Sequence, residues 1–201
     1  MIDDIELVNH EVWFEYDGVL VLKWGHFPNV DGKIDPLCIT RAFALANGKV
    51  KPAFVGLGKS LNGLFVEYEG EVDAVAIEYD RGIYSLTDDG RWFFGRRVPS
   101  NCRVEEVRHI LGFAKVHFGE VKPLGLELEI VLDGSEGEGV KVLFRGKPVD
   151  AKVKLRNTEG TFELDAEEIR FAEGVNVLSA RFVDDLGFVK RSLVTTLTVL
   201  V

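Results

Sequence analysis

Four histidines hold most of the coordination chemistry open to this chain: His10, His26 and His117 lie in strand-like text, and His109 in a segment of different rhythm. Imidazole nitrogen suits borderline divalent ions such as Zn, Cu, Ni and Co. Alternation puts His10, Val12, Phe14 and Tyr16 on one face of a first strand, and Leu20, Leu22, Trp24 and His26 on one face of a second. Asp17-Gly18 between them is a hairpin signal, because both residues tolerate positive φ. Neighbouring strands lie ~4.8 Å apart, so pairing about the turn sets His10 opposite about residue 25 and close to His26. A one-residue slip, or a bulge at Gly25, would send the rings to opposite faces. The expected site is a metal centre of His10 and His26, with His117 as a third imidazole and Glu11 or Asp31 as supplementary carboxylates.

Other chemistry finds less support. Cys38 and Cys102 have no partner at the two-residue spacing of thiolate metal sites or redox motifs, so a zinc ribbon and a thioredoxin-like centre are out. They read as isolated buried thiols, with a single disulfide between them as the alternative. Gly58-Lys59-Ser60 has the ending of a phosphate-binding loop, but Ala53 stands where its first glycine belongs. Gly-X-Ser-X-Gly is absent, and no carboxylate pair is singled out for acid–base work. Trp13, Trp24 and Trp92, with 14 phenylalanines, suit a core more often than a carbohydrate groove. The chain reads as a binding protein and not as an enzyme.

The elements that must position the histidines are strands. The chain has 24 Lys+Arg against 33 Asp+Glu, a net charge of -9, which argues against a nucleic-acid or acidic-membrane partner. With 46% hydrophobic and 28% charged residues it lies in the range of chains that bury a core. Alternating segments at 5–16, 19–27, 39–45, 52–57, 64–69, 72–79, 82–87 and 91–97 are punctuated by turn dipeptides such as Asp31-Gly32, Asn47-Gly48 and Asp89-Gly90. Residues 101–112 differ. Val104, Val107, Ile110 and Leu111 recur at three- and four-residue intervals behind Asn101, with Glu105 and Glu106 in the first turn, and predict a short helix. A strand at 113–118 precedes Lys122-Pro123-Leu124-Gly125, which has linker chemistry. Beyond it, strands at 126–132, 139–145, 151–156, 161–165, 175–183 and 191–201 have the number and spacing of a small immunoglobulin- or transthyretin-like sandwich, and Asp133 to Glu138 reads as a solvated loop.

The expected fold is therefore all-β: two β-sandwich domains, 1–122 carrying every histidine and 123–201 carrying none, with at most one short helix near 101–112. Met1-Ile2-Asp3-Asp4 places acids where a secretory signal carries Lys or Arg, and no run of apolar residues reaches membrane-spanning length. A soluble protein without membrane insertion is expected, cytoplasmic on these residues and extracytoplasmic if a signal segment precedes them.

Several segments resemble a known family in order along the chain. His10-Glu11-Val12-Trp13-Phe14 resembles the His-x-x-Trp opening of the DUF4198 family, nickel/cobalt-transport-associated proteins often found beside ECF-type metal transporters. Gly25-His26-Phe27-Pro28 is similar to its Gly-His element, Phe113-Ala114-Lys115-Val116 to its Ala-Lys element, and the strand Gly125 to Val131 to its Gly-x-x-Leu-Glu-Ile-Val strand. Phe144 to Val153 resembles its Gly-Lys-Pro hairpin, and the matches run from residue 10 to about residue 183. The resemblance implies two β-sandwiches that capture Ni²⁺ or Co²⁺ for a membrane transporter component, and it transfers His10 and His26, but not His117, as ligands. Family members commonly carry a signal peptide ending just before the His-bearing strand, whereas nine residues precede His10 here. The alternative function is a metal-free β-sandwich interaction or adhesion module that binds a protein or glycan through a sheet edge or aromatic surface.

Overall fold

Alternating apolar residues separated by glycine-bearing turns form seventeen strands in the computed structural model, which describes residues 10–58, 62–95, 97–133, 139–164 and 169–201. The strands, numbered along the chain, make three sheets. A five-stranded sheet has the order β1 (Glu11–Tyr16), β2 (Leu20–His26), β7 (Leu64–Glu67) and β6 (Phe54–Leu57), with β3 (Asn29–Gly32) paired to β2. A nine-stranded sheet runs β15 (Gly160–Leu164), β14 (Val153–Asn157), β16 (Val175–Asp185), β17 (Val189–Leu200), β10 (Val104–His117), β8 (Ala74–Thr87), β4 (Ile39–Ala46) and β5 (Lys49–Pro52), with β9 (Trp92–Phe94) on β8. The third sheet is β11 (Leu128–Asp133), β12 (Gly139–Phe144) and β13 (Lys147–Val149). The only helical element among the described residues is a 3-10 turn, Pro36–Cys38, capped by Asp35.

The nine-stranded sheet is covered on both faces, which explains its near-continuous apolar strands. On one face Val75, Ile77, Tyr79, Ala114, Val116 and Val194 pack against Val12, Phe14, Leu20, Leu22, Leu64 and Val66 of the five-stranded sheet. On the other, Ala76, Phe113, Leu193 and Leu197 pack against Leu126, Leu128, Ile130 and Val142. Period-two alternation assigns neighbours such as Val75 and Ala76 to opposite cores. The architecture is sandwich-like, with the large sheet as the shared middle layer.

Residues 101–112 form no helix, contrary to their rhythm; most of the segment is the amino-terminal part of β10. Two features disguise this strand. A bulge skips Glu105 in the pairing with β8, which widens the apolar spacing from Val104 to Val107. Ile110 and Leu111 are adjacent because this central strand packs apolar side chains in two different clusters, Ile110 with Tyr84 and Trp92 and Leu111 against the core shared with the third sheet. A second irregularity, opposite Ile110 and Leu111, lets 72–79 and 82–87 run together as the single strand β8.

The boundary expected near residue 122 falls on the connection from β10 to β11, and the sheet continues across it. Parallel pairing of β10 with β17, from Val107↔Val189 to His117↔Val199, places strands from both halves at the centre of one sheet. The connection itself is clamped by a buried ion pair: Lys115 Nζ lies 2.7 Å from Glu129 Oε1, with side chains 0% and 2% exposed. Glu129 also accepts from the backbone N–H groups of Leu124 and Gly125, and Lys115 donates to Lys122 O at 3.3 Å. Burial lowers the Lys115 pKa from the usual lysine value, and the Glu129 carboxylate opposes that shift. The stretch Asp133 to Glu138, expected as a loop, lies from residue 134 onward outside the described residues, as does Lys59-Ser60.

Removing one partner of such a pair strands the other charge in the core. Lys115→Met is expected to lower stability by about 3–5 kcal/mol in urea unfolding, and Lys115→Met/Glu129→Gln to recover part of that loss.

Candidate metal centre

The hairpin that carries His10 and His26 is held down from three directions. Register pairs Glu11 with Gly25 and Val12 with Trp24, so His10 comes opposite His26 at the open end of the hairpin. Val12, Phe14, Leu20 and Leu22 anchor the same face in the core. The free edge of β1 is satisfied by β17: Thr196 Oγ1 donates to Val12 O, and Phe14 N donates to Thr198 Oγ1 at 3.1 Å. Tyr79 Oη donates to His10 O at 3.4 Å. The Tyr79 ring packs against Gly112, where a Cβ would overlap it.

Asp31 completes the arrangement through a close approach that requires glycine. Beyond His26 the chain reverses and returns as β3, with a register shift between Trp24 and Gly25. Gly25 has φ +149°, and a Cβ there would collide with Asn29 O and lie 2.8 Å from Asp31 N. The bulge at this position does not separate the histidines. Asp31 Oδ2 sits 3.2 Å from His10 Nε2 and 3.4 Å from His26 Nδ1, and the two ring centroids are 4.5 Å apart. All three donor atoms lie within 4.8 Å of one another. Around an ion with bonds of about 2.0–2.1 Å, adjacent donors stand about 3.0 Å apart in an octahedron and about 3.3 Å in a tetrahedron, so the measured separations match a coordination edge.

Electrostatics favour the ligating form of His10. Its ring is 7% exposed and lies 4.3 Å from Trp24, whose other neighbour is the Arg81 guanidinium at 5.1 Å. Burial, followed by the charge of His26, lowers the His10 pKa below the ordinary imidazole value, with Asp31 pulling the other way. Burial thus favours the neutral imidazole, the form a ligand must take. Nε2 is the nitrogen that faces Asp31, while Nδ1 has no hydrogen-bond partner among the described residues. Two imidazoles and one carboxylate, without thiolate, fit Ni²⁺, Co²⁺ or Zn²⁺.

The other expected donors lie elsewhere. Glu11, 2% exposed, is engaged by Arg156 and approached by Arg181 Nη2 at 3.9 Å. His117 pairs with Ala74 and Val199 at the end of β10, whereas Tyr79, which binds His10 O, pairs with Gly112. Five residues along a strand is roughly 16 Å, so His117 does not join His10 and His26. His109 faces Asp80 at 2.8 Å. Cys38 and Cys102 are separate free thiols, half-buried rather than buried. A second group of donors, Asp88, Asp89 and Cys102, is neutralised in part by Arg91, which pairs with Asp89. Trp13 and Trp92 are core residues, 0% and 7% exposed, and so do not line an open groove. Trp24 beside His10 follows from the alternation that puts it on the face of His26, whereas Arg81 beyond it had no local sequence signal for a place at the site, because its approach is set by packing. Comparison with known protein families, curated proteins and solved structures finds no match.

His117 makes a separate pH prediction. Burial and the Lys115 charge push its pKa down to about 4, against the hydrogen bond with the Glu120 backbone and the Asp73 charge. The unfolded chain binds this proton near the reference pKa of ~6.5, so the contribution is complete above that value and is lost as pH falls towards 4. The loss is about 3 kcal/mol over that interval, and His117→Gln is expected to flatten it in urea titrations at successive pH values. Gly25→Ala is expected to fold with a displaced β3, read as lost transition-metal binding with an unchanged far-UV spectrum.

Proposed function

We propose that this chain binds a borderline divalent transition metal, Ni²⁺ or Co²⁺, through His10 Nε2, His26 Nδ1 and Asp31, as an accessory component of metal uptake that presents the ion to a membrane transporter. The observation that carries the reading is convergence: two imidazole nitrogens meet one carboxylate oxygen at 3.2 and 3.4 Å. Three protein donors leave coordination positions open, as exchange of a cargo ion requires. Exposure supports this, because the His10 side chain is 8% exposed while His26 and Asp31 are 36% and 42% exposed, giving the ion a rigid inner ligand and two accessible ones. The net charge of -9 favours capture of a cation. Resemblance to the DUF4198 family points to Ni²⁺ or Co²⁺ as cargo. No helix among the described residues is long and apolar enough to cross a membrane, so in this reading the transporter supplies the membrane passage.

A second reading, a metal-free interaction module, draws on a groove of about 950 Å³ lined by Tyr16, Val19, Phe54, Phe65 and Tyr68, beside the exposed edge of β6. Calorimetric titration with Ni²⁺ separates the two. One ion per chain is expected, with affinity reduced by about a hundredfold or more in His10→Ala/His26→Ala and by about tenfold in Asp31→Asn. Full affinity in the double variant would place the site elsewhere, and no binding by the intact chain would leave the interaction reading.

A further inference from the structure

The face of His26 turned away from the core opens on a cleft of about 520 Å³ formed by β14, β16 and the segment before β14. Its charged walls are Lys152, Lys154, Arg156 and Arg181, against the carboxylates of Glu11 and Asp150. Four cations face two carboxylates here, in a chain whose net charge is -9. Glu11 is already engaged by Arg156, which also donates to Ser179 Oγ at 3.4 Å. Lys152 and Lys154 stand towards solvent, Lys152 being 83% exposed and 3.5 Å from Glu163. The cleft therefore presents guanidinium groups at its buried end and exposed ammonium groups at its mouth.

A bare divalent ion gains nothing from this surface, since positive charge beside a cation site opposes binding. An anion that also ligates the metal gains twice. The metal reading leaves positions open on the ion next to His26, and carboxylate oxygen is a suitable donor for Ni²⁺ or Co²⁺. A molecule with two or more carboxylates can give one group to the ion and another to the Lys and Arg side chains, whereas a small anion such as phosphate carries all its oxygens on one centre. The volume fits a small organic molecule and exceeds what a hydrated ion needs.

We propose that the ion is bound together with a small polycarboxylate, which completes its coordination sphere from the cleft of Lys152, Lys154, Arg156 and Arg181. This rests on the metal reading above and names the form of the cargo: a metal–organic-acid complex. Equilibrium dialysis of the full chain with radiolabelled citrate, with and without equimolar Ni²⁺, tests it, because ion and acid are counted separately. Citrate is expected to be retained one per chain only when Ni²⁺ is present. Lys152→Glu/Lys154→Glu, at two exposed positions, is expected to reduce citrate retention by about tenfold or more while retention of Ni²⁺ supplied alone is not reduced. With both supplied, Ni²⁺ retained while citrate is not overturns the cleft assignment and leaves the metal reading standing. Citrate retained equally without Ni²⁺ overturns the coupling, and equal retention of inorganic phosphate with Ni²⁺ overturns the preference for a polycarboxylate. Retention of neither ion nor acid overturns the metal reading and this inference with it.

Discussion

The buried ion pair between Lys115 and Glu129 joins the two halves of the chain at the point where the strand pattern breaks. Taking two charges out of water costs several kcal/mol for each, and the cost is offset here because the lone pairs and protons left over meet backbone groups of Lys122, Leu124 and Gly125. A segment with the composition of a flexible linker is thereby bent across the end of β10 and fixed. The clamp sets where β11 begins, and the packing of Leu128 and Ile130 on the nine-stranded sheet follows from it.

The same central sheet positions the candidate site from its opposite face. Among the described residues β1 has a backbone ladder only with β2, so its other edge would carry unpaired polar groups under the core. Thr196 and Thr198 of β17 meet them with their hydroxyls. Tyr79 fixes the carbonyl of His10, and it fits only because Gly112 has no side chain. His10 is thus held by the core while His26 and Asp31 sit at the rim. In the proposed reading this gives the ion one buried ligand and two accessible ones.

Both halves of the chain face the candidate site. The imidazoles and Asp31 come from the first sixth of the sequence, and the cationic cleft comes from β14 and β16 in the last third. Arg156 reaches back to Glu11, the residue after His10, so the ion pair that orders the cleft also ties it to the hairpin. In the proposed reading this charge division matters: the carboxylate and imidazoles attract the ion, and the cations attract whatever anion accompanies it.

Strand character, the hairpin at Asp17-Gly18 and the approach of His10 to His26 were legible in the sequence, because each depends on alternation and turn chemistry over fewer than about twenty residues. Asp31 was legible as a residue type and not as a position, since its approach depends on the close contact that Gly25 permits. The helical rhythm at 101–112 misled because a bulge at Glu105 and burial on both faces imitate a three- and four-residue period. His117 shares residue type and strand context with the other two but lies along a different part of the sheet, and only the tertiary pairing of β10 shows that. The parallel pairing of β10 with β17, the charge pair across the supposed linker and the cleft beside His26 join residues far apart in the chain. Periodicity reports which face of a strand is buried; it has no means of reporting which strand lies next to it, and that choice belonged to the packing of the whole chain.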